Sequence, residues 1–169
     1  STGNRNTALG HTALNLNTAS NNTAVGYSAL RCNTTGNANI AIGVNALRSN
    51  TTGAYSVAVG PGALRNNTTA RYNVAMGINA LYANTIGCEN VAIGAGALQC
   101  NTTGARNVAI GLNSTFLNTT GTCNVSLGFY ALRNKSTGDI NIAIGSISGC
   151  CITTGACNVI LGSASANGF

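Results

Sequence analysis

A glycine returns at one phase along the whole chain: Gly10, Gly26, Gly43, Gly60, Gly77, Gly94, Gly111, Gly128, Gly145 and Gly162. Every interval is 17 residues except the first, which is 16. Each glycine closes a version of the pattern Asn-x-Ala-(Val/Ile/Leu/Met)-Gly, so ten coils account for all 169 residues. A fixed period of this length marks a solenoid, in which one repeat is one turn that cannot bury its apolar side without its neighbours. The expected fold is an all-β parallel β-solenoid of ten coils, a single repeat domain spanning residues 1–169. Function is then expected on a stacked surface and not in one pocket.

Numbering each coil from its Asn, position 1 is Asn in nine coils and Ser56 in the tenth. Positions 2 and 4 carry mainly Val and Ile, with Thr at position 2 and Leu or Met at position 4 in some coils. Residues two apart share a face of a strand. The pair at positions 2 and 4 therefore points one way and position 3 the other. Burying the larger side chains predicts that the Val/Ile columns fill the interior. The leucines at position 9 (Leu14, Leu30, Leu47, Leu64, Leu81, Leu98 and Leu132) are then expected to meet them across a narrow core. Glycine at position 5 turns the chain where a Cβ would clash or φ must be positive. Asn-Thr-Thr-Gly at positions 12 to 15, as in Asn33-Thr34-Thr35-Gly36, suits a second corner. Two or three short parallel strands per coil follow. Asn at position 1 and Thr at position 13 should form ladders along the rod, as amides do in stacked cross-β chains.

Only 6% of the residues are charged, against 44% hydrophobic. Mixed surface charge keeps proteins apart, so a chain this poor in charge suits an assembly with much of its surface covered. No stretch of 18 apolar residues is present to span a membrane. Seven arginines and one lysine oppose Glu89 and Asp139 alone, giving a formal charge of +6. The bases are thinly spread, without an aromatic platform among them, and nucleic acid is not expected as a partner. Seven cysteines favour an oxidising setting. Same-column cysteines lie too far apart for a disulfide, and Cys151 (or Cys150) with Cys157 is the most plausible local pair.

Paired carboxylates for acid–base catalysis are missing, since the two acids lie in different coils, and His11 has no acid in its coil to orient it. No enzyme, cofactor or metal site is expected. Asn-x-Ser/Thr sequons occur at Asn21, Asn33, Asn50, Asn66, Asn67, Asn101, Asn113, Asn118, Asn124 and Asn134. Glycans are expected only on exposed corners.

The string Asn90-Val91-Ala92-Ile93-Gly94-Ala95-Gly96-Ala97-Leu98, with the following Asn101-Thr102-Thr103-Gly104, resembles the head repeats of trimeric autotransporter adhesins. It is similar also to the related repeats of phage and virus tail-fibre proteins. The resemblance extends over every coil and implies a left-handed parallel β-roll, often trimeric, used for attachment at a cell or virion surface.

Three surfaces are candidates for function. If positions 2 and 4 face inward, the position-3 alanines (Ala24, Ala41, Ala58, Ala75, Ala92, Ala109 and Ala143) form a flat outward strip, a lateral seam between rods. The ends, with Ser1, Thr2 and Gly3 at one tip and Asn158 and Phe169 at the other, are at matching phases of the period and suit head-to-tail stacking. Arg31, Arg48, Arg65 and Arg133 share position 10 and suit an anion or glycan stripe. The leading expectation is a self-associating structural fibre, extracellular or on a virion, whose partner is itself. The alternative is an adhesin or tail-fibre module for surface glycans or a host receptor. Ice binding by the threonine columns ranks third, because the two threonines of each corner point to opposite faces.

Overall fold

The computed structural model describes residues 3–163. It is an all-β parallel β-solenoid without a helix among those residues. Ten three-residue strands, β1 (Thr7–Leu9), β2 (Thr23–Val25), β3 (Ile40–Ile42), β4 (Val57–Val59), β5 (Val74–Met76), β6 (Val91–Ile93), β7 (Val108–Ile110), β8 (Val125–Leu127), β9 (Ile142–Ile144) and β10 (Val159–Leu161), form one parallel sheet in chain order. Like residues pair with like: Ala24 with Ala41, Ala41 with Ala58, Ala92 with Ala109. The 16-residue first coil keeps this register, since Ala8 pairs with Ala24.

There is one strand per coil, not two or three. After the position-5 glycine the backbone enters the left-handed region at alternate residues. In the sixth coil Gly96 has φ 67° and Leu98 φ 50°. Those angles exclude an extended segment there. Hydrogen bonding to the next coil continues regardless, as when Leu81 N–H donates to Ala97 O at 3.0 Å. The left-handed conformation costs a non-glycine residue about 1–2 kcal/mol. Burying a leucine side chain returns about 2–3 kcal/mol, which is why leucine is retained at position 9 despite the angle.

The interior is the reverse of the expected one. The alanines of position 3 and position 8 and the leucines of position 9 are the buried core, and from Ala24 to Ala143 the position-3 alanines have no exposed surface. Positions 2 and 4 face outward. The alternation of faces was legible, but its sign was not. Two segments joined by a tight glycine corner lie too close together to hold Val/Ile on one wall and Leu on the other. Alanine facing leucine fills that gap. A Cβ placed on Gly149, at the leucine position of the ninth coil, would lie 2.9 Å from Ile160 Cδ1 and 3.5 Å from Ala143 Cβ, both in the position-3 column.

Two departures from the repeat confirm the pairing of these columns. Ile160, the bulkiest residue at position 3, is met by Gly149, the smallest at position 9. Ser126, the polar residue at position 3, is met by Ser114 and Thr115 at positions 8 and 9, with both hydroxyls 2.6 Å from Ser126 Oγ. One buried hydroxyl would be left wanting a partner, whereas three together satisfy one another.

The corner is held by asparagine. Oδ1 of each position-1 Asn accepts the backbone N–H of the next coil's position 1, as from Asn90 to Asn73 at 2.9 Å and from Asn107 to Asn90 at 3.0 Å. A second ladder runs through position 12. There each Asn donates Nδ2–H to Oδ1 of the Asn before it, at 2.6–3.0 Å from Asn33 to Asn118. Both ladders also converge within a coil on the glycine carbonyl of position 15: Gly104 O accepts from Asn90 Nδ2 and Asn101 Nδ2, each at 2.9 Å. A Cβ on Gly104 would stand 2.4 Å from Asn101 Oδ1, which favours glycine at that corner; the fourth coil alone among the 17-residue coils places alanine there, and Ala70 O accepts from Asn67 Nδ2 at a longer 3.2 Å. Position-13 threonines donate not to one another's hydroxyls but to the next coil's backbone, as Thr68 Oγ1 to Thr85 O at 3.1 Å.

Candidate functional site

Turning the strands inside out moves the apolar surface from one column to several. Along the described sheet, positions 2 and 4 present Val, Ile, Leu, Met and Thr to solvent. Ile42 is 40% exposed, Met76 42% and Leu127 44%. Position 6 continues the strip beyond the glycine corner with Tyr27, Val44, Ile78, Leu112 and Phe129, all exposed. No charged side chain interrupts these three columns; His11, at one end, is their only titratable side chain besides Tyr27. Ten strands at about 4.8 Å give a length near 43 Å, and the run from position 2 to position 6 gives a width of about 13 Å. That apolar strip, about 560 Å², is at the upper end of the patches that monomeric soluble proteins leave open.

The seam predicted on Ala24, Ala41, Ala58, Ala75, Ala92, Ala109 and Ala143 is therefore corrected: these side chains touch the leucine column and no other molecule could reach them. Small size at position 3 reflects the thickness of the core. A sequence signal for this existed. Position 3 holds alanine with few exceptions, each compensated across the core, while positions 2 and 4 accept Thr, Val, Ile, Leu and Met. Tolerance of that kind belongs to a surface.

Of the predicted end residues, Ser1, Thr2 and Phe169 lie outside the described residues. Gly3 is packed on the second turn of chain, where a Cβ would come within 1.8 Å of Ala19 O. Asn158 continues the position-1 ladder, donating backbone N–H and Nδ2–H to Asn141 Oδ1 at 3.1 and 2.7 Å. Strands β1 and β10 each have one strand neighbour among the described residues.

The four arginines of position 10 are brought into one half-buried column as expected. Arg31, Arg48 and Arg65 occupy successive coils, with Tyr82, Gln99 and Phe116 between them and Arg133. The Arg65 guanidinium carbon is 5.4 Å from the centre of the Tyr82 ring, and its Nη1 donates to the Tyr82 hydroxyl. Arg133 stands over Tyr130 at 4.9 Å and Phe116 at 5.7 Å, and donates to Asn134 Oδ1 at 3.3 Å. Sequence reading found the column and missed these aromatic rests, because Tyr130 comes from position 7 and only the coil's turn sets it beside position 10.

The expected pairing of Cys151 with Cys157 is not formed. All seven cysteines are free thiols, and the neighbour of Cys151 Sγ is Cys150 Sγ, 3.6 Å away. Cys151 follows the leucine segment whereas Cys157 precedes the next strand, which places them on different sides of the coil. Burial, with the neighbouring Cys151, raises the Cys150 thiol above its usual range. Among the sequons, Asn33, Asn50, Asn67, Asn101, Asn118 and Asn124 are ladder residues with no room for a sugar, and Asn21 stands exposed.

One buried residue escaped sequence reading. Lys135 occupies position 12, where seven earlier coils place Asn, and it is fully buried. Its Nζ donates to Gly138 O, the carbonyl that Asn would have reached. Asn118 Oδ1, which would receive the next rung's amide, has no partner. Loss of hydration lowers the Lys135 pKa to about 8, and the charge of Asp139 opposes that fall. No group of three or more His, Cys, Asp or Glu side chains is gathered among the described residues, and no helix there is long and apolar enough to cross a membrane. The chain matches no protein-family model, no curated protein and no solved structure.

Proposed function

We propose that this chain is a structural rod that associates with copies of itself through the outward face of its ten-stranded sheet. The observation that carries this reading is the uncharged apolar strip of positions 2, 4 and 6. Two such faces laid together at the usual sheet spacing of about 10 Å would cover about 1,100 Å² in total, just above the roughly 1,000 Å² that a biological interface should clear. Side chains branched at Cβ suit that contact, since they lose little rotamer freedom on burial. Such a rod suits an extracellular or virion-surface fibre.

The test is the mass of the purified chain by light scattering over a range of concentrations, beside a variant carrying Ile93→Lys and Ile110→Lys. Both substitutions lie on the outward face and leave the core untouched. Wild type should be oligomeric, with the variant monomeric and its circular dichroism unchanged. A wild-type monomer at high concentration refutes the reading. A mass that stops at three chains assigns the trimer of the adhesin-type reading, and a continuous series assigns the filament. Ice binding is the weakest reading: the hydroxyls of position 13 are spent on the neighbouring coil, leaving one threonine column, at position 14, facing water.

A further inference from the structure

We propose that the position-10 column, with the aromatic rests beside it, is a docking stripe for a linear anionic polysaccharide, one bearing sulfate or uronate groups along an extended chain. This site is distinct from the apolar sheet face and does not depend on self-association.

Four of the eight basic residues stand in this one column, and three of them, Arg31, Arg48 and Arg65, are on adjacent coils. Neighbouring coils are about 4.8 Å apart. Like charges on neighbouring coils repel even in water. Nothing in the coil relieves this: Glu89 and Asp139 are at positions 17 and 16, and Asp139 is bound to Thr122, its Oδ1 accepting from the Thr122 backbone N–H at 2.7 Å. A ligand carrying its own row of negative charge would relieve it, and the guanidinium fork matches carboxylate and sulfate oxygens in pairs.

Two of the four guanidinium groups are held in place before any ligand arrives. Arg65 is tied to Tyr82, and Arg133 rests on Tyr130 and Phe116 and is tied to Asn134. The cation–π contacts fix the plane of each group, which reduces the side-chain entropy lost on binding. Asn45, Asn79 and Asn113 of position 7 run alongside and add amides for sugar hydroxyls. The nearness of the two columns is direct, since a Cβ on Gly62 at position 7 would lie 3.4 Å from the Tyr82 ring.

The geometry selects the class of polyanion. Arg31 and Arg133 are six coils apart, a span of about 29 Å along a straight surface, which fits an extended chain and not a compact anion. Single-stranded nucleic acid needs open aromatic faces on which bases stack. Here arginines rest over the Tyr82, Tyr130 and Phe116 rings. Duplex nucleic acid is read by an element entering a groove, and the rod offers none.

The experiment measures binding of a heparin oligosaccharide, a polyuronate and an oligo-dT strand to the whole chain by calorimetry at low and physiological salt. Two charge-matched variants are compared: Arg31→Gln/Arg48→Gln/Arg65→Gln in the stripe, and Arg5→Gln/Arg71→Gln/Arg106→Gln, which removes three charges from positions 16 and 17. The expected result is that the stripe variant loses at least tenfold in affinity for one or both polysaccharides and the matched variant less than threefold. Equal losses in both would reduce the effect to net charge and overturn the proposal, as would absence of polysaccharide binding by wild type. Tighter binding of oligo-dT than of either polysaccharide would also overturn it. Should the triple variant fold poorly, Arg48→Gln alone should weaken binding two- to fivefold with an unchanged circular dichroism spectrum, and no loss there counts against the stripe.

Discussion

The coils before Lys135 and those after it are built on the same 17-residue plan, yet they are held differently. From Asn17 to Asn118 the position-12 amides form an unbroken series, and every Asn between those two both donates to the Asn before it and accepts from the Asn after it. The next two rungs are Lys135 and Ile152. The series ends there on an unpartnered carbonyl oxygen, and only the position-1 ladder continues, through Asn141 to Asn158. The leucine column changes in the same place, with Leu132 followed by Gly149. Nearer the end of the rod, burial also falls: Gly104 and Gly121 are buried, whereas Gly155 and Cys157 are exposed. A solenoid tolerates defects where few coils depend on them, because each coil is stabilised by its immediate neighbours.

Breaking the central series gives the largest expected effect. Asn84→Ala removes the hydrogen bonds to Asn67 Oδ1 and Gly87 O, each near 3 Å, along with the acceptor of Asn101 Nδ2, and leaves Asn67 Oδ1 buried without a donor. A loss of about 4 kcal/mol is expected in urea unfolding. Asn158→Ala, on a part-exposed outer rung, should cost no more than about 1 kcal/mol; similar losses at the two sites would contradict the contrast. Leu98→Ala in the central core should cost about 3 kcal/mol by the same measurement.

A smaller effect sharpens the comparison at the hydroxyl cluster. Ser126→Ala alone should cost about 1–2 kcal/mol, because Ser114 and Thr115 lose their shared partner in the core. The triple change Ser114→Ala/Thr115→Leu/Ser126→Ala restores the commoner core and should be neutral or stabilising. Additive losses in a mutant cycle would refute the coupling.

The smallest effect concerns Lys135. Lys135→Asn supplies a donor to Asn118 Oδ1 and should stabilise by about 1 kcal/mol at neutral pH. The pH dependence distinguishes this from simple packing. With a folded pKa of about 8, below the ordinary 10.5 of lysine, the unfolded chain binds more protons between those two values. Stability of the wild type should therefore rise with pH across that window, relative to Lys135→Asn, and differ by a constant amount below it. Parallel profiles for the two proteins from pH 7 to 10 would show that Lys135 does not titrate in the folded state as its burial requires.

The interface candidates rank differently in legibility. The arginine column was readable because a period of 17 puts Arg31, Arg48 and Arg65 over one another whatever the coil looks like inside. The separation of Cys151 from Cys157 is not legible, because linear closeness carries no information about which side of a tight coil a residue occupies. The second asparagine ladder was hidden for another reason. Asn-Thr-Thr-Gly is a sensible turn by its own chemistry, so nothing in the string reveals that the Asn is buried and shared between coils.

The sequence by itself determined the period, the parallel in-register stack, the alternation of strand faces and the columns that recur on the surface, because each follows from counting residues along a repeating chain. Only the tertiary structure decided which face lies inside. That choice rests on the distance between the two walls of a coil, which the glycine corner and the left-handed leucines make short enough for alanine against leucine and too short for valine or isoleucine. The same distance sends the larger side chains outward, and with them the surface through which the rod would meet its copies.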